Sequence, residues 1–189
     1  MRAESESQPT VPVDLPLSQR LEAAIVRYGE ADVLKRAVSL TEGAMAGEDF
    51  LLYVGGHHAQ GLLDGAPALY WPELWGMRAL LHVWDPSAGT AVKNGLENQS
   101  WRVREMSARV SQERDLNVAP SLVALLTDES ARVRAAAARA LGVCGREEDL
   151  PALEARLRDP DKDVRRAAQQ GRDQLRKRFP QPSNDADSH

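Results

Sequence analysis

One stretch of this chain repeats itself every 30 to 31 residues, and no other feature limits its folds so tightly. Val103, Met106, Ser107 and Val110 recur as Val133, Ala136, Ala137 and Ala140, and again as Val164, Ala167, Ala168 and Gly171. Each set is spaced i, i+3, i+4, i+7, which places it on one face of a helix. The residues are small, so a second helix can approach closely. A period of this length is the mark of a stacked-repeat architecture.

The segments before these helices repeat as well. Asn98, Asp128 and Asp159 stand five residues before each Val. They are expected to be N-caps, because an Asx side chain accepts a hydrogen bond from an orphan backbone N–H. Pro160 is then expected at the first helical position, where its missing N–H costs nothing. Leu96, Leu126 and Leu157 lie just upstream, and further back Leu122 matches Leu153 and Pro120 matches Pro151. Each unit therefore reads as a helix A, a tight turn and a helix B. Three units are expected at about residues 87–114, 118–145 and 149–178. One such unit cannot bury its apolar face alone, and about three are needed for a stable stack.

The first half is less regular. Leu17–Tyr28, Ala31–Ala46, Glu48–Leu63 and Tyr70–Trp84 read as helices, the third broken or ended near Gly55-Gly56. Arg78 precedes Arg109 by 31 residues, and Trp75 precedes Met106 by the same interval. This spacing predicts a degenerate earlier repeat, its connection lengthened by Leu63-Asp64-Gly65-Ala66-Pro67. The fold class expected is all-α: an α-solenoid of stacked antiparallel helix pairs, one domain over residues 17–179. Residues 1–16 and 180–189, rich in Pro, Ser and acids, read as disordered tails.

Composition narrows the function. The chain is 42% hydrophobic and 28% charged, which suits a globular fold. Its net charge of −4 is uneven: residues 1–95 hold seven Lys/Arg against 12 Asp/Glu, and residues 96–180 hold 17 against 14. An acidic whole weighs against a general nucleic-acid binder, while the basic second half keeps that reading alive. Cys144 is the one cysteine, so no internal disulfide and no Cys-based zinc site can form. No signal peptide and no run of 18 apolar residues is present, so a cytoplasmic protein is expected.

Asp128-x4-Val133-Arg134-x2-Ala137 and Asp159-x4-Val164-Arg165-x2-Ala168 resemble HEAT repeats, in the short form also found in phycobilisome-lyase-type proteins. The resemblance covers residues 87–178 well and 31–86 loosely. Tyr70-Trp71-Pro72-Glu73-Leu74-Trp75-Gly76 and Trp101-Arg102-Val103-Arg104-Glu105-Met106 are similar to small bacterial HEAT-repeat proteins of unassigned function. The resemblance implies an armadillo-like helical solenoid whose B helices line a concave side. It also implies that the Arg after each Val pairs with the turn acid of a neighbouring unit.

Several side chains are left over once the repeat is accounted for. Arg102 and Arg132, and Arg109 and Arg139, form columns on successive B helices, suited to gripping carboxylates or phosphates. All four tryptophans fall between Trp71 and Trp101. Trp71, Trp75 and Arg78 are a turn apart on one helix, and Trp101 lies beside Arg102 and Glu105. They either receive a partner's planar group or fill the packing where the degenerate unit meets the regular ones. Gly55-Gly56-His57-His58 reads as a helix break; adjacent histidines on a helix do not share a face, so no metal is expected. Arg165, Arg166, Arg172, Arg176, Lys177 and Arg178 form a basic cluster suited to the polar outer face of a terminal repeat and to a helix C-terminus. Phosphate loops, nucleophile elbows and dinucleotide fingerprints are absent. The chain is expected not to be an enzyme and to need no cofactor. The expected function is a scaffold or protein-interaction module that binds a protein or peptide on its concave helix-B face through Trp71, Trp75, Arg78, Trp101, Arg102, Glu105, Arg109, Arg132 and Arg139. Nucleic-acid binding, resembling HEAT-like alkylation-repair proteins, is the alternative.

Overall fold

The computed structural model describes residues 10–180, and every regular element among them is helical. The chain divides after Asp85 into two compact units. The expected tails at 1–9 and 181–189 lie outside the described residues.

The first unit holds α1 (Leu17–Tyr28), α2 (Glu30–Thr41), α3 (Glu48–Gly55), α4 (His57–Leu63) and α5 (Trp71–Ala79). α2 stops five residues short of the expected Ala46. Gly43 takes φ +75, its N–H bonds to Leu40 O and that of Ala44 to Ser39 O. This is the Schellman stop, which only a residue at ease in the left-handed region closes without strain. α3 and α4 part at Gly56, φ +57, where the paired glycines mark a break. α5 ends at Ala79 rather than Trp84, because the N–H groups of Leu81 and His82 turn back to the carbonyls of Arg78 and Ala79. Residues 10–16 do not behave as a free tail: Arg20 Nη1 donates to Leu15 O at 2.6 Å and holds the segment against α1. Leu21, Val33, Leu40, Phe50, Leu51, Val54 and Met77 make the core. α2 and α5 meet at Gly76, where an added Cβ would lie 2.6 Å from the Ala37 carbonyl oxygen.

The second unit begins with a 3-10 turn at Pro86–Ala88. It continues as α6 (Gly89–Gly95), α7 (Trp101–Glu113), α8 (Ala119–Leu125), α9 (Ala131–Cys144), α10 (Leu150–Ala155) and α11 (Lys162–Arg178). These are three short-helix, long-helix pairs at the expected period. The long helices α7, α9 and α11 lie side by side, with α8 packed on α9 and α10 on α11. The repeating faces are buried: Val103, Val110, Val133, Ala137, Leu141, Val164, Ala168 and Leu175 are at most 1% exposed. Removing such side chains from water is the main stabilising term.

The caps differ from expectation. The long helices begin after Ser100, Ser130 and Asp161, two residues beyond the Asx column. Asn98, Asp128 and Asp159 instead accept the N–H of Ser100, Ser130 and Asp161 at 2.8, 2.8 and 3.0 Å. That arrangement is an Asx-turn, which shapes the approach to the helix rather than capping it. Pro160 accordingly lies in the turn and not in the helix, whereas Pro120 and Pro151 occupy the second positions of α8 and α10.

Candidate functional site

In the second unit the arginines fall into two groups with different work. Arg104, on the side of α7 facing the turns, forks onto Asp128 through Nε to Oδ2 at 2.7 Å and Nη2 to Oδ1 at 3.1 Å. Arg134 does the same to Asp159 at 2.9 and 2.9 Å. Their Nη1 atoms also donate to turn carbonyls: Asn98 and Gln99 for Arg104, Asp128 and Glu129 for Arg134. The ladder thus stitches each turn to the next. Hydrogen bonds from Arg134 hold the Asp159 carboxyl below the usual carboxylate range, and each guanidinium is pushed up by its aspartate. Arg165 makes the same two carbonyl bonds, to Asp159 at 2.8 Å and Pro160 at 2.9 Å, but no carboxylate meets its fork among the described residues.

The other group lies on the exposed face of the long helices. Arg102 and Arg132 stand over the Trp101 ring, 4.4 and 5.5 Å from its centroid. Arg132 also reaches Glu105, Nε to Oε1 at 3.4 Å, although its side chain is 71% exposed. Arg109 and Arg139, at equivalent positions of α7 and α9, are exposed and make no hydrogen bond or ion pair among the described residues. Between α9 and its neighbours a recess of about 220 Å³ is lined by Glu105, Arg132, Ala135, Arg139, Asp161 and Asp163. Ala135 makes it possible: its methyl stands where α7 presents Glu105 and α11 presents Arg166, one period away on either side. Arginine and carboxylate therefore share one hollow.

In the first unit Trp71, Trp75 and Arg78 come together with the Gly-Gly-His-His segment around a recess of about 400 Å³. Trp75 is 3% exposed and serves mainly as core. It packs so tightly on α3 that a Cβ on Gly55 would lie 2.9 Å from its ring. Trp71 is half-buried, stacked on Trp75 with centroids 5.9 Å apart and planes 28° apart. Arg78 is exposed, with no hydrogen bond or ion pair among the described residues. Arg20, which sequence reasoning missed, also lines this recess. It donates to Tyr53 O at 2.7 Å and Val54 O at 3.3 Å, closing carbonyls at the end of α3. Those partners are 33 and 34 residues away, so no local pattern announces them. The histidines are not paired: His57 Nε2 lies 2.6 Å from Asp14 Oδ1, and His58 lines the recess. No three His, Cys, Asp or Glu side chains are grouped as a metal needs among the described residues.

The C-terminal basic cluster is largely engaged. Arg178 Nη1 donates to the carbonyls of Val143 in the last turn of α9 and of Gly145 just beyond it, and Arg176 meets Glu154 at 2.6 Å. Cys144 is buried, its thiol pushed up to about 11 by burial, and so protonated at neutral pH. No helix among the described residues is long and apolar enough to cross a membrane.

The chain is similar to known proteins in one region. A family model described as HEAT repeats matches residues 79–171. A structure of human deoxyhypusine hydroxylase in complex with glycerol is 29% identical, with a TM-score of 0.50 over 62% of this chain. The match spans 42% of that protein, so the chain covers less than half of its length. No curated protein matches the chain by sequence. The solved neighbour corrects one expectation: it is an enzyme built on HEAT-like helices, so the reading of this chain as a non-enzyme, drawn from missing motifs, is overturned. Over residues 79–171, where period, buried columns and arginine-aspartate ladder coincide, the chain carries HEAT repeats.

Proposed function

We propose that the second unit binds a protein or peptide partner across the exposed face of α7, α9 and α11. One observation carries the reading. The repeat uses Arg104 and Arg134 to hold itself together, yet leaves Arg109 and Arg139 exposed and, among the described residues, unpaired in adjacent helices. On the same helices Arg102 and Arg132 stand over the Trp101 ring, and Glu105, Asp161 and Asp163 supply acids in one hollow with Arg139. Arg and Trp are the residue types that most often carry protein-interface affinity. Mixed signs suit a protein segment bearing both an acidic and a basic group. They weigh against the nucleic-acid reading, in which a phosphate backbone calls for a face of one sign.

A cytoplasmic setting fits the lone, buried, protonated thiol of Cys144, which neither offers nor needs a disulfide. The test is capture of partners by the immobilised protein, identified and then measured singly against Arg109→Glu/Arg139→Glu. We expect the double reversal to weaken a genuine partner at least about tenfold while circular dichroism stays unchanged. Equal affinity for wild type and variant would remove the exposed face from the reading. A steeply salt-dependent mobility shift with duplex DNA or RNA would replace it with the nucleic-acid alternative.

A further inference from the structure

The recess of the first unit has a chemistry that the repeat does not explain. Its lining includes Arg20, His57, His58, Trp71, Trp75 and Arg78, and among the described residues no carboxylate. At about 400 Å³ it has the size of a small-molecule pocket. Asp14 meets the wall residue His57 on the exposed side, Oδ1 to Nε2 at 2.6 Å.

Two guanidinium groups at one recess repel each other unless an anion intervenes. The two arginines here are held differently. Arg20 is fixed: Nε, Nη1 and Nη2 all donate to carbonyls, of Tyr53, Leu15 and Val54. Gly56 makes room for it, since a Cβ there would lie 2.8 Å from Arg20 Nη1. Its own donors are therefore used within the fold, but its charge remains at the wall. Burial first, and then the nearby charge of Arg78, lower its pKa. Arg78 has spent no donor on any described residue. It projects from α5 one turn beyond Trp75 and two beyond Trp71, so its fork and the half-buried Trp71 ring serve the same space. A fork with free donors recognises a planar anionic group, and an indole face stacks on a planar ring.

We propose that this recess binds a small planar aromatic anion, its carboxylate or phosphate on Arg78 within the field of Arg20 and its ring against Trp71. The site lies wholly in the first unit. It does not depend on the partner-binding reading of the second, and either can fail without the other.

Isothermal titration calorimetry on the full chain tests it with four probes: benzoate, adenosine monophosphate, adenosine and inorganic phosphate. Benzoate and the nucleotide separate the carboxylate from the phosphate form of the ligand. Adenosine lacks the charge, and phosphate lacks the ring. At least one of the two aromatic anions is expected to bind with Kd below about 1 mM, and its uncharged or ringless counterpart about tenfold more weakly. Arg78→Ala is expected to weaken that binding about tenfold, the loss of one charge-assisted contact, with an unchanged melting temperature because the side chain supports nothing. Arg78→Lys, which keeps the charge and loses the fork, should fall between the two. If neither aromatic anion binds, if phosphate or adenosine alone binds as well, or if Arg78→Ala binds as wild type does, the proposal is overturned.

Discussion

At the scale of single residues, position in the repeat decides whether an arginine is a strut or a free contact. Asp159 has a side chain only 1% exposed and answers Arg134, Arg156 and the Asp161 N–H at once. Asp159→Ala would leave the Arg134 fork without its acid, and breaking such a pair is costly even where forming it gains little. We expect a loss on the order of 3 kcal/mol by urea unfolding. Arg139→Ala, with no bond to lose, should stay within about 0.5 kcal/mol of wild type. A large loss at Arg139 would mean that this side chain is structural after all. The same aspartate sets an acid response. Its carboxyl is held low in the fold, first by hydrogen bonds from Arg134, so the unfolded chain takes up its proton at higher pH than the folded chain. Its contribution is therefore complete above the unfolded value of about 3.9 and is lost as pH falls through the lower folded value. Unfolding midpoints measured downward from neutrality should drop below about pH 4, and the drop should be shallower in Asp159→Asn.

At the scale of elements, the sequence reads helices well and their ends less well. The expected and observed bounds of α1 agree at Leu17 and Tyr28, because an apolar stripe lies between Pro16 and Gly29. The stop of α2 at Gly43 was also written in the chain, but a lone glycine inside a helical pattern is easily read as tolerated. The cap column was displaced by two residues for a chemical reason. Asn and Asp serve Asx-turns and N-caps with the same acceptor, and only the backbone geometry tells which N–H is met. Glycines between helices carry information of another kind. An added Cβ on Gly142 would lie 2.8 Å from Gly171 Cα, and one on Gly171 would collide with the Ala138 carbonyl oxygen. α9 and α11 thus touch backbone to backbone. Gly171→Ala, favourable by helix propensity alone, should instead destabilise by about 1–3 kcal/mol through overpacking. A thermal shift upward in that variant would show that the two helices can part at little cost.

At the scale of the whole molecule, each unit has its own core. The second holds three helix pairs, the number at which a stack becomes stable, with Leu122, Leu141, Leu153 and Leu175 fully buried. Residues 86–180 made alone should therefore give a helical spectrum and a cooperative melt; a gradual, non-cooperative melt would show that this core is insufficient. The enzyme among its structural neighbours teaches a lesson at the same scale. Catalytic motifs are chain-local patterns, whereas a reaction site on a repeat fold is assembled from residues far apart in sequence.

What the sequence determined by itself was whatever repeats or acts within a few residues: the helix-pair period, the buried valine columns, the break at Gly55-Gly56 and the arginine-aspartate spacing. These follow from backbone geometry, in which i, i+3, i+4 and i+7 share a face whatever surrounds them. Tertiary structure alone decided which charges the fold itself uses. Arg20 is tied to carbonyls of α3, Arg104 and Arg134 to the next turn's acid, while Arg78, Arg109 and Arg139 keep their donors among the described residues. Identical side chains separate in this way because a guanidinium's partner is chosen by distance in space, and the partners here lie 24 to 34 residues away along the chain.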